Sequence, residues 1–154
     1  MDDKRYTTSA LPESGAGWPR GTIGRFLWRW LPPLAWMGVI FFLSAQPDLP
    51  SAPGPWLDTL LKKISHALAY GVLAWLYQRA LRPHLRASTT LRVVSGGLAV
   101  AYALSDEYHQ TFVPGRNGQL FDVMVDGVGA GGAMLLHGWL ERRRALSRQV
   151  PAAR

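Results

Sequence analysis

Four long apolar runs alternate with short polar stretches along the chain. The first covers about residues 28–45 (WRWLPPLAWMGVIFFLSA), the second 60–81 (LLKKISHALAYGVLAWLYQRAL), the third 93–113 (VVSGGLAVAYALSDEYHQTFV) and the fourth 120–140 (LFDVMVDGVGAGGAMLLHGWL). Each approaches the roughly 20 residues that a helix needs to cross a hydrocarbon core of about 30 Å. A soluble amphipathic helix shows one polar face, whereas half of each run is apolar all round. The pattern predicts an all-α fold, a four-helix transmembrane bundle. Pro32 and Pro33 fall in the first turns of the first run, where a missing N–H costs least. Pro114 stops the third run.

The basic residues orient the runs. Of the 17 Lys and Arg, all but Lys62, Lys63 and Arg116 lie before or at the start of the first run, from the end of the second run to the start of the third, or at the C-terminal end. The positive-inside rule makes that side the cytoplasm. Both termini are then cytoplasmic, and residues 46–59 and 114–119 face outward. The expected organisation is a disordered leader over 1–25, a membrane domain over 26–141 and a basic tail over 142–154. A secretory signal peptide is disfavoured, because the first run ends in a Pro-rich loop and three more runs follow.

Composition sharpens this reading. The formal net charge of +7 admits a nucleic-acid partner, but the charge sits in clusters between apolar runs and not along one face, so none is assigned. Seven Trp suit interfacial anchoring. With no Cys there is no disulfide, thiolate ligand or Cys nucleophile. The partner implied is the lipid bilayer. Small residues recur at four-residue spacing, Gly127 and Gly131 in the fourth run, with Gly129 and Ala133 alongside, and Gly97, Ala101 and Ser105 in the third. Such stripes let helices approach closely in lipid. Packing within the bundle is the simpler use, and a homo-oligomer face the other.

The candidate chemistry lies in the polar residues inside the runs, since ionisable groups in hydrocarbon are costly unless paired or wet. By helix rise, His66, Asp106 and Asp126 all lie about 9–10 Å below the outer boundary. Ser44 and Gln46 close the first run on that side. Lys63, His66 and Tyr70 share a helical face, as do Asp106, His109 and Gln110, and Asp122 and Asp126. Together with Glu107 and Arg116 they form an expected cup open to the outside. His66, Asp106, Glu107, Asp122 and Asp126 are the candidates for acid–base work. Ser44, Gln46, Lys63, Tyr70, His109, Gln110 and Arg116 are the candidates for ligand binding, with Lys63 and Arg116 suited to a phosphate head group. His66, His109 and the acids have donor types that suit a divalent metal. No recognised spacing such as HExxH occurs, so neither a metal nor a cofactor is assigned. Internal ion pairing is the competing use of the same residues. A transport pathway is less favoured, because spans one to three bring no buried charge to the cytoplasmic half.

Four segments carry a family resemblance. They are FFLSAQP at 41–47, K-x-x-H-x-x-x-Y at Lys63–Tyr70, SDEYHQTFVPGR at 105–116 and DVMVDGVGAGG at 122–132. The chain resembles the VanZ-like family over about residues 30–137. The resemblance implies a multi-pass bacterial membrane protein. The family's namesake is associated with low-level resistance to the glycopeptide teicoplanin, and no catalytic residue carries over. Ala45 stands where the family usually has a second Ser, and Asp126 where Asn is common.

Overall fold

The structure is a computed structural model that describes residues 21–47, 53–116 and 118–149. Among these there are four helices and no strand: α1 (Thr22–Ser44), α2 (Pro55–Leu81), α3 (Ser88–Gln110) and α4 (Leu120–Gln149). The leader expected over 1–25 lies outside the described residues except for its last few, which are already helical. Residues 142–149 of the expected tail continue α4.

The boundaries differ from the sequence expectation in physical ways. Ile23, Phe26 and Leu27 extend α1 upstream, so Pro32 and Pro33 sit in the helix interior and not its first turns. Each removes one i→i−4 hydrogen bond there. The third helix ends at Gln110, before Pro114, because Thr111–Arg116 folds into turns that bury Val113.

The packing centres on α2, which contacts α4, α3 and α1. Helix α1 touches α2 and, slightly, α3, and does not touch α4. Helices α2 and α4 run parallel and in register. Lys63–Asp122, Gln78–His137 and Arg82–Glu141 all pair residues 59 apart. Their crossing is backbone on backbone. A Cβ at Gly129 would overlap the Ala67 carbonyl, and one at Gly71 would stand 3.2 Å from the Gly129 carbonyl oxygen. The close-packing stripe is therefore Ala67 and Gly71 against Gly129 and Ala133. Gly131 meets nothing within 4 Å, and the Gly97–Ala101–Ser105 stripe lies on an exposed face.

Apolar side chains lie on the surface as well as in the core, which centres on Tyr70, Leu73, Ala74 and Met134. Leu60, Leu61, Ile64, Leu68, Val72 and Trp75 on α2, and Val93, Val94, Leu98 and Leu104 on α3, are exposed. Ser44, Gln78, Ser95, Asp106, Glu107, Gln110 and Asp126 are buried. Two helices, over Ile23–Ser44 and Leu120–Arg148, are long and apolar enough to cross a membrane. In α2 and α3, polar residues such as Lys63, His66 and Gln78, or Arg92, Asp106 and Glu107, lower the mean hydropathy below that standard.

Candidate functional site

The end of the bundle where α1 and α3 finish and α2 and α4 begin gathers most of the buried polar side chains: Ser44, Asp106, Glu107, Gln110 and Asp126. Two linked clusters form there. In the first, Asp106 on α3 is 2 % exposed, and its Oδ2 accepts three hydrogen bonds: from Ser44 Oγ of α1 at 2.7 Å, from the Tyr70 hydroxyl of α2 at 3.1 Å and from Gln110 Nε2 at 3.2 Å. One carboxylate oxygen thus ties three helices together. Its Oδ1 has no partner.

The second cluster joins α2, α3 and α4. Lys63 donates to Asp122, one turn before Asp126 on α4. His66 Nδ1 lies 3.4 Å from Asp126 Oδ1. Glu107, adjacent to Asp106 but turned toward α4, accepts from the Gln119 N–H at 2.8 Å and from Gln110 Nε2 at 3.3 Å. A Cβ at Gly118 would collide with the Glu107 carbonyl, and this close approach seats Gln119 on the carboxylate.

Arg116 joins the first cluster to α1. Gly115 takes φ +79°, a conformation that favours glycine, and turns the chain back under α1. Arg116 Nε donates to the Gln46 carbonyl at 3.1 Å, Nη2 to the Leu43 carbonyl at 3.2 Å and Nη1 to Gln110 Oε1 at 3.2 Å. It therefore caps the C-terminus of α1, where orphan carbonyls need donors.

Of the residues singled out in the sequence, Ser44, Tyr70, Asp106, Gln110 and Arg116 form one hydrogen-bonded set, and Lys63, His66, Glu107, Asp122 and Asp126 lie together in the neighbouring cluster. Gln46 and His109 depart from it. The Gln46 amide turns back to the Phe42 carbonyl of its own helix. The His109 ring stacks on Phe41 at 4.3 Å. Asp122 and Asp126, read in the sequence as neighbours on one face, each meet a different residue of α2.

Residues 28–140, most of the chain, match the family model described as VanZ/LLP1. The chain belongs to the VanZ/LLP1 family. No curated protein and no solved structure matches it. The region matched to VanZ/LLP1 contains every residue of both clusters.

In this VanZ/LLP1 chain, sequence reasoning missed the contacts at the opposite end. Buried Gln78 meets His137 Nδ1 at 3.1 Å, and Arg82 donates to Glu141 at 2.9 Å. The available signal was position: Gln78 follows Ala74 by four residues on the buried face of α2. Also missed were the anchors of α1, where Trp36 Nε1 donates to the Ala69 carbonyl and the Tyr102 hydroxyl to the Met37 carbonyl.

Proposed function

We propose that the protein spans the bacterial plasma membrane four times, with both termini cytoplasmic, and that its outward end holds the polar head group of an amphiphile. The candidates are a phospholipid, a lipid-linked cell-wall precursor or a lipophilic glycopeptide. The last would connect it to teicoplanin resistance. The observation that carries this reading is the apolar surface: large apolar side chains lie outward on all four helices while Asp106, Glu107 and Asp126 are buried together at one end. An apolar exterior with ionisable groups buried at one end of the bundle suits lipid as the solvent. The excess of Lys and Arg toward the opposite end supports that orientation. Lys63 and His66, both part-exposed, stand at the rim for a phosphate.

Native mass spectrometry of the full-length protein in mild detergent tests this. A phosphate-bearing lipid should stay bound to the unmodified protein. It should be lost from Lys63→Gln and His66→Gln variants that remain monodisperse. No retained lipid, or equal retention in the variants, would overturn the reading.

A second reading has its own observation. Arg116 directs its Nε, Nη1 and Nη2 at protein oxygens, and Lys63 is paired with Asp122. Such pairing fits an accessory protein whose polar groups hold the helices together. Its mark is rescue of stability by exchanging the charges of a pair.

A further inference from the structure

Hydrogen bonding leaves part of the second cluster unexplained. Asp126 is 1 % exposed, yet neither of its carboxylate oxygens accepts a hydrogen bond. His66 Nδ1 faces Oδ1 at 3.4 Å, also without hydrogen-bond geometry. A buried carboxylate without donors is costly, and proteins resolve that cost by pairing the group or by coordinating a metal. The third neighbour is Glu107, itself buried. One ligand atom from each of His66, Glu107 and Asp126 lies within 4.8 Å of the other two.

We propose that His66, Glu107 and Asp126 bind a divalent first-row transition-metal ion. The spacing supports this. Two ligands each about 2.1 Å from a tetrahedral ion stand about 3.4 Å apart, which is the separation of His66 Nδ1 and Asp126 Oδ1. The donor set supports it too. One imidazole and two carboxylates suit zinc, manganese or ferrous iron, whereas magnesium and calcium prefer all-oxygen shells. A dication balances the two carboxylates and replaces the long His66–Asp126 contact with direct coordination of both groups. Three protein ligands leave a coordination position for an exogenous group. Lys63 and Asp122, one turn away, neutralise each other and stay outside the shell. The site does not depend on the amphiphile reading, since its ligands are defined by their own geometry.

Tag-free, full-length protein in lipid-free detergent, treated with EDTA and dialysed, tests the proposal by titration with zinc, manganese and cobalt chlorides. One ion per chain is expected by elemental analysis, undisplaced by equal magnesium or calcium. Glu107→Gln, Asp126→Asn and His66→Gln should each weaken binding about tenfold or more, while His137→Gln at the opposite end leaves it unchanged. Cobalt gives a second readout that folding alone does not mimic: visible ligand-field bands in the unmodified protein, altered in the same three variants. Absence of uptake of all three ions by the unmodified protein would overturn the proposal. So would uptake and cobalt spectra unchanged by the three substitutions.

Discussion

Ser44 Oγ, on the last residue of α1, donates a 2.7 Å hydrogen bond to the buried Asp106 carboxylate of α3. Helix α1 has few other contacts with α3, so this bond fixes the α1 terminus over the site. Ser44→Ala removes one of three donors to Asp106 Oδ2. It should cost about 1–2 kcal/mol, since hydrogen bonds to charged groups are stronger than neutral ones. Asp106→Ala strands Ser44, Tyr70 and Gln110 together and should cost more. Thermal unfolding in detergent measures both.

The two glycine positions that a GxxxG pattern treats as partners differ from the one that packs. Gly129→Ala drives a methyl group into the Ala67 carbonyl, and backbone cannot swing aside. A loss of about 1–3 kcal/mol is expected, the range of overpacking. Gly131→Ala enters open space and should be neutral or slightly stabilising, as Ala is the better helix former. Chemical denaturation of both variants checks the difference.

Lys63 pairs with Asp122 and not with Asp106. A double-mutant cycle over Lys63→Asp and Asp122→Lys should therefore show rescue in the exchanged protein. Both side chains are about one-third exposed, so the coupling should stay near or below about 1 kcal/mol. Exchanging Lys63 with Asp106 should give no rescue.

The chain lacks Cys, so single cysteines report topology without a background. In intact cells, a membrane-impermeant maleimide should label Pro53→Cys and Gln119→Cys. It should label Arg86→Cys and Arg148→Cys only after permeabilisation. Labelling of Arg86→Cys in intact cells would contradict four spans with cytoplasmic termini.

The helices and the common level of the polar set along the bundle were legible because both follow from local pattern. Apolar runs mark helices, and a fixed rise of 1.5 Å per residue converts sequence position into height. Partner choice was not legible. Lys63, His66 and Tyr70 share a face by spacing, yet Lys63 and His66 reach α4 and Tyr70 reaches α3. Adjacent Asp106 and Glu107 divide between two clusters because successive helical residues point about 100° apart. The role of Arg116 as a cap for α1 depends on a turn 70 residues away in sequence from Gln46. The small-residue stripes show the same limit: spacing reveals which residues align on one helix, and only packing reveals which stripe meets a neighbour.

The constant offset between α2 and α4 constrains how the two ends can communicate. A shift of one helix along the other by a single turn, about 5.4 Å, would part Lys63 from Asp122, Gln78 from His137 and Arg82 from Glu141 in one step. Piston motion is thus blocked by contacts at both ends at once. Rotation or splaying about the bare backbone contact at Gly129 disturbs them unequally, and so is the cheaper way for an event at one end of the bundle to be felt at the other.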